Sequence, residues 1–155
     1  MRLGLAAIGR LKAGPEHDLV EDYWARARRV GPPVGVHIEP VREIPSQSRP
    51  SAETRALLEA APDGAQLVAL DEQGEDLTTR AFADRLAAWR DHGARACWVL
   101  IGGADGHDRT LTKNCSLVLA YGRATWPHRL VRAMAAEQVY RALSILAGAP
   151  YHREG

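Results

Sequence analysis

The segment ACWVLIGGADG, residues 96–106, sets the fold class of this chain. Its first six residues are apolar and run into a glycine-rich turn, a pattern typical of a strand covered on both faces. QLVAL at 66–70 and SLVLA at 116–120 repeat the apolar run. Segments of helical periodicity alternate with these runs. The sequence therefore predicts an α/β fold in which helices sandwich a mostly parallel sheet.

The rest of the chain extends this alternation to β-α-β-α-β-α-β-α-β-α. Alternating Leu3, Leu5 and Ala7 predict an opening strand that ends at Gly9. The other expected elements are a helix at 17–30, a strand at 34–38, a mobile loop at 43–50, a helix at 51–61 with Ser51 as its cap, a helix from Thr78 or Thr79 to Gly93, and a long final helix from Pro127 to Gly148.

Length and composition predict one domain, residues 1–155, with 46% hydrophobic and 25% charged residues. A net charge of +1 does not by itself predict any class of partner. Two cysteines exclude a disulfide framework and a cysteine-rich metal site. The N-terminal apolar run is too short for a signal peptide, and no stretch approaches the roughly 20 residues that span a bilayer. We therefore expect a soluble cytoplasmic protein that makes no membrane contact.

Unusual residues follow three of the expected strands, at 70–74, 101–106 and 121–128. In open α/β sheets, ligands bind beyond the carboxyl ends of strands. Glycines at 102, 103 and 106 would let a backbone approach a ligand, although a tight turn explains them equally well. The chain lacks the G-x-G-x-x-G, G-K-[ST] and G-x-S-x-G motifs and a zinc-spaced histidine pair, which disfavours dinucleotide, phosphate-loop, serine-nucleophile and zinc sites.

The last 35 residues form a basic, aromatic-rich region. Five arginines, at 123, 129, 132, 141 and 153, stand against two glutamates, at 137 and 154, with Trp126 and three tyrosines among them. Arginine forks bind phosphates and aromatic rings stack on unpaired bases, which favours nucleic-acid binding. The alternative is a solvated helix face with pairs such as Glu137–Arg141.

Six short motifs together resemble the RlmH family of SPOUT-class methyltransferases. They are LDEQGE at 70–75, Phe82-Ala83, LIGGADG at 100–106, ATWPH at 124–128, EQVYRA at 137–142 and PYHRE at 150–154, and the resemblance covers nearly the whole chain. It implies S-adenosylmethionine-dependent methylation of N3 of a pseudouridine in bacterial 23S rRNA, within the assembled ribosome. It also implies a homodimer, a C-terminal trefoil knot and no metal.

The resemblance further implies a cofactor site built from three strand-end loops. The residues expected there are Leu70, Gly102, Gly103, Tyr121, Gly122, Arg123, Ala124, Thr125 and Trp126. At 120–124 the sequence AYGRA departs from the Ser/Leu-rich run of many relatives, so Arg123 faces either the cofactor or the RNA. The long final helix, apolar around much of its circumference, is expected to pack on its mate.

For the reaction itself, His152, Arg153 and His128 are the candidate catalytic residues. A histidine suits the removal of the N3 proton, and an arginine favours the deprotonated base electrostatically. The candidate RNA contacts are Arg132, Arg141, Tyr151, His152 and Arg153. For Tyr151 the alternative to stacking on a base is packing against the final helix. The rival to an enzyme is a ribosome-binding or assembly protein that uses the basic C-terminal face alone.

Overall fold

The computed structural model describes residues 1–152. Its strands are β1 (Arg2–Ile8), β2 (His37–Ile38), β3 (Arg42–Ile44), β4 (Gln66–Asp76), β5 (Ala96–Ile101) and β6 (Leu117–Ala120). Its helices are α1 (Pro15–Val30), α2 (Pro50–Ala60), α3 (Thr79–Asp91), α4 (Arg109–Asn114) and α5 (His128–Leu146), with a short 3-10 turn at Pro32–Val34.

The strands form one sheet in the order β2-β1-β5-β4-β6, with β3 also paired to β1. Every strand pairing in the described range is parallel. Parallel strands place their carboxyl ends at the same edge, so the segments that follow β1, β4, β5 and β6 converge there. The predicted α/β class with a parallel sheet is confirmed.

Both sheet faces are covered, as the continuous apolar strands require. On one face, Val99 and Ile101 of β5 pack with Trp24 of α1 and with apolar residues of α3 and α5. On the other, Trp98 and Leu100 pack with α2 and α4. Trp98 occupies the space above Gly4 of β1, where a Cβ would lie 2.2 Å from the indole. No helix in residues 1–152 is long and apolar enough to cross a bilayer.

The segment predicted to be a mobile loop at 43–50 starts as a strand. In β3, Arg42, Glu43 and Ile44 pair with Ala6, Ala7 and Ile8 of β1. The predicted strand at 34–38 is shortened to β2 because the 3-10 turn occupies 32–34. The prediction of Ser51 as the cap of α2 is also wrong. Arg49 occupies that position, without a side-chain cap, because Pro50 begins the helix.

The fourth strand runs six residues beyond the predicted end at Leu70. Leu70 and Glu75 both lie opposite Leu119 of β6, so residues 71–74 bulge out of the ladder between them. Gly74 permits this, because a Cβ there would lie 2.7 Å from the backbone of Val118 and Leu119. The bulge carries Asp71, Glu72 and Gln73 to the carboxyl edge of the sheet.

Candidate functional site

A cleft of about 980 Å³ lies at the carboxyl edge of the sheet. Its walls are the β4 bulge, the turn after β5 and the segment between β6 and α5. Of the nine residues predicted to contact a cofactor, Arg123 is exposed and lies outside the cleft lining. The eight that line the cleft are Leu70, Gly102, Gly103, Tyr121, Gly122, Ala124, Thr125 and Trp126.

The glycines after β5 are required by the turn itself. A Cβ on Gly102 would lie 2.9 Å from the Gly106 carbonyl oxygen and 3.1 Å from the His107 ring. A Cβ on Gly103 would lie 3.2 Å from both Glu53 and Ile8. Protein atoms therefore fill the space that the absent side chains leave. This supports the tight-turn explanation, while the turn still lines the cleft.

Hydrogen bonds join the segment after β6 to the fourth strand. The Thr125 hydroxyl donates to the Glu72 carboxylate at 3.0 Å. The backbone N–H of Gly122 donates to the Asp76 carboxylate at 2.9 Å. Within the segment, the Trp126 indole N–H donates to the Tyr121 carbonyl at 2.9 Å. These three bonds fix the side of the cleft that the segment after β6 forms.

Two ionisable side chains in the cleft are held neutral near physiological pH. Burial lowers the pKa of His107, while the Asp71 carboxylate and nearby backbone carbonyls act in the opposite direction. The buried Nε2 of His107 makes no hydrogen bond to any residue in 1–152. Burial and the Glu137 carboxylate both raise the pKa of the Tyr121 hydroxyl. His107 was not among the predicted site residues, because nothing in its local sequence marks it.

The cleft has room for a mid-sized cofactor, and its β4 side favours a positive charge on that cofactor. Its volume is at the upper end of the usual ~300–1,000 Å³ for small-molecule sites. Asp71 and Glu72 line the β4 side, and the orphaned Nε2 of His107 offers a buried polar group. Residues 1–152 contain no cluster of three or more metal-ligating side chains. The thiols of Cys97 and Cys115 are poor nucleophiles, since burial raises their pKa values to about 12 and about 11.

The assignment of Arg132 as an RNA contact is corrected by its burial. Only 2% of its side chain is exposed. Its guanidinium donates to the Glu43 carboxylate at 3.0 Å and to the carbonyls of Ile8 and Gly9 at 3.1 and 3.0 Å. A group enclosed in this way cannot reach a phosphate at the surface. Arg132 instead joins α5 to the ends of β1 and β3.

Arg141 and Tyr151 lie in a cluster around Glu137 on α5. Arg141 donates to the Glu137 carboxylate at 2.7 Å, and the Tyr151 hydroxyl donates to the same oxygen at 3.2 Å. The Tyr151 ring lies 4.5 Å from that of Tyr140, and the Arg141 guanidinium lies 4.7 Å from the Tyr151 ring centre. Arg141 thus pairs with Glu137 and Tyr151 packs against the final helix, the arrangements that the sequence left as their alternatives to RNA contact.

The candidate catalytic residues do not meet at one place in the described chain. His128, the first residue of α5, lines the cleft. His152 follows the helix and is partly buried. Arg153 lies outside the described residues. Of the two candidates that the structure describes, His128 lines the cleft and His152 does not.

Comparisons with known proteins point in one direction. The family model described as "Predicted SPOUT methyltransferase" matches residues 1–152. Proteins named ribosomal RNA large subunit methyltransferase H from Brucella anthropi and Hyphomonas neptunium are 48% and 50% identical to this chain, over 99% of each sequence. The solved structure of a probable methylase family protein from Haemophilus influenzae superposes with a TM-score of 0.50 at 13% identity, covering 93% of this chain and 64% of that one. That likeness bears on the fold alone.

Proposed function

Because this chain belongs to the SPOUT methyltransferase family, we propose that it methylates N3 of a pseudouridine in bacterial 23S rRNA. The enzyme depends on S-adenosylmethionine and acts on the assembled ribosome in the cytoplasm. The observation that carries the proposal is the single cleft that the motifs LDEQGE, LIGGADG and ATWPH build at one sheet edge. The 48% and 50% identity to proteins named as rRNA methyltransferases, over 99% of each sequence, supports the choice of substrate.

The cofactor is held by the cleft lining. S-adenosylmethionine, when bound, supplies an electrophilic methyl group on a sulfonium. Leu70, the turn at Gly102 and Gly103, and the cleft-lining residues of the segment after β6 would hold it, largely through backbone groups. Asp71 and Glu72 favour the positively charged ligand electrostatically. The three loops would hold the methyl group and its acceptor together, and positioning of this kind supplies much of the rate of such transfers.

The acceptor nitrogen carries a proton between two carbonyl groups and must lose it. His128 lines the cleft, and we propose it as the group that accepts this proton. His152 and Arg153 are proposed to act from the chain terminus, where a cationic side chain favours the deprotonated base.

A homodimer and the trefoil knot are part of the same proposal. Val139 and Leu143, although apolar, are buried within their own chain and do not argue for a partner. Leu130, Val131 and Met134, on the first half of α5, are only partly buried. They form the apolar surface that is proposed to pack against a second copy, so that both chains contribute to RNA binding beside the cofactor cleft.

The proposal is tested by methyl transfer in vitro. Ribosomes from a strain that lacks this gene are incubated with the protein and methyl-labelled S-adenosylmethionine. We expect label in the large-subunit rRNA, at one methyl group per ribosome. Ribosomes from the parent strain, already modified, are the matched control and are expected to take up none. Ribosome binding without transfer would instead identify a non-enzymatic assembly protein.

A further inference from the structure

A second cavity, of about 640 Å³, lies where β1 leads into α1. The segment between them is Gly9–Gly14, and its Arg10 and Lys12 line the cavity with their side chains exposed. Neither side chain makes an ion pair within the described residues. The rest of the lining includes His17, Glu21 and the Glu43–Arg132 pair. Since Glu43 and Arg132 offset each other, Arg10 and Lys12 outweigh Glu21.

The backbone that carries these two cations is held in place from several sides. The N–H of Gly9, a residue with a φ of +85°, donates to the Ile44 carbonyl at 2.7 Å. The Leu11 N–H donates to Glu43 at 2.9 Å, and Arg132 binds the Gly9 carbonyl. The Glu43–Arg132 ion pair, like buried ion pairs in general, adds little net stability. It contacts the segment at the Leu11 N–H and the Gly9 carbonyl, and its role here is to fix the shape of the segment. In that shape, the side chains of Arg10 and Lys12 are exposed to solvent.

The two cavities flank the same helix at the same sheet edge. Val131 of α5 lines the cofactor cleft, and its neighbour Arg132 lines the cavity beside β1. One RNA strand can therefore reach both, with its target base in the cleft and an adjacent phosphate at this cavity. Arg132 and Arg141, two of the three arginines that the sequence assigned to RNA, are engaged by Glu43 and Glu137.

We infer that the cavity beside β1 is a phosphate subsite of the RNA substrate, in which Arg10 and Lys12 bind the backbone next to the target nucleotide. This inference rests on the proposed function. Phosphate contacts fix the register of a nucleic acid on its protein and carry no sequence information. Arg10 and Lys12 thus position the target base over the cleft without touching the reacting atoms.

The test compares R10Q/K12Q with R28Q/R29Q, a matched control that removes two exposed charges from the last turn of α1. Both variants are expected to fold and to bind S-adenosylmethionine as the wild type does. R10Q/K12Q is expected to raise the KM for unmodified ribosomes about tenfold or more, with kcat nearly unchanged. The plot of log affinity against log salt concentration has a negative slope, whose magnitude should decrease by about 1.5, as for two lost phosphate contacts. Glu21→Gln should strengthen binding.

Filter binding of the same ribosomes separates this inference from the proposed function. If the wild-type protein transfers no methyl group, the proposed methyltransferase function is wrong. Selective loss of binding in R10Q/K12Q would even then support the subsite. The inference is overturned if R10Q/K12Q binds ribosomes as the wild type does. It is also overturned if R28Q/R29Q loses as much affinity for ribosomes, because the overall positive charge of the protein would then explain the effect.

Discussion

The side chain of Arg132 is enclosed, and Glu43 is the carboxylate that neutralises it. Replacing Glu43 with alanine leaves a buried charge without its partner. We expect the free energy of unfolding to fall by about 2–3 kcal/mol, below the range for fully buried pairs because Glu43 is 35% exposed. Urea denaturation measures this. Asp22→Ala, which breaks the exposed Arg26–Asp22 pair, should leave stability nearly unchanged, and equal losses in the two variants would contradict the account.

His107 makes stability depend on pH in a defined direction. Burial lowers its pKa in the folded state, so the unfolded chain binds the proton more readily. The protein should therefore lose stability as pH falls through the ordinary histidine pKa, near 6.5. His107→Leu should lessen that loss between pH 7.5 and pH 5.5, measured as the shift in urea midpoint. An unchanged pH dependence would show that His107 is not buried as described.

Tyr151 contributes to packing as well as to any contact with RNA. Tyr151→Ala removes the ring pair with Tyr140 and the contact with Arg141. We expect a loss of about 1–2 kcal/mol in unfolding free energy. Tyr151→Phe keeps the ring and loses only the bond to Glu137, so it should cost less. If Tyr151→Ala abolishes methyl transfer at full stability, the ring acts on the base and not on α5.

At the scale of elements, the apolar strands β4, β5 and β6 follow from the sequence because each is a run buried on both faces. The edge strand β3 does not, since Arg42 and Glu43 are polar and its pairing depends on β1, over 30 residues away. The bulge at 71–74 also escapes periodicity. It exists because Gly74 lets two backbones approach, a contact between β4 and β6 that local patterns do not encode.

In the candidate site too, some residues follow from the sequence and others depend on contacts between distant parts of the chain. The motifs place most of the cleft lining, because residues after parallel strands must meet at one edge. They do not reveal His107, which becomes part of the cleft only because the turn folds its ring over Gly102. Nor do they show that Arg132 is buried, because its partners on β1 and β3 are distant in sequence.

The turn after β5 links this packing to cofactor affinity. Gly102→Ala forces the Gly106 carbonyl and the His107 ring to move. We expect affinity for S-adenosylmethionine to fall at least tenfold, about 1.4 kcal/mol, by calorimetry. Gly103→Ala is the graded control. Its Cβ meets a flexible Glu53 carboxylate and a methyl group at 3.2 Å, so it should lose less. Unchanged affinity in a folded Gly102→Ala variant would remove this turn from the site.

At the scale of the whole molecule, the partly buried apolar surface of α5 predicts self-association. We expect a dimer of about 34 kDa, twice the 16.9 kDa chain, by light scattering at micromolar concentration. Met134→Glu, which puts a charge on that surface, should shift the protein toward the monomer and reduce methyl transfer with it. A wild-type monomer under these conditions would exclude an active site shared between chains.

The most direct measurement of the central claim is mass mapping of large-subunit rRNA from the parent strain, from a strain without this gene and from that strain with the gene restored. We predict that one pseudouridine-containing fragment is heavier by a single methyl group in the parent and restored strains, and unmethylated in the deletion strain. Identical fragment masses in all three strains would contradict the assignment of this protein as an rRNA methyltransferase.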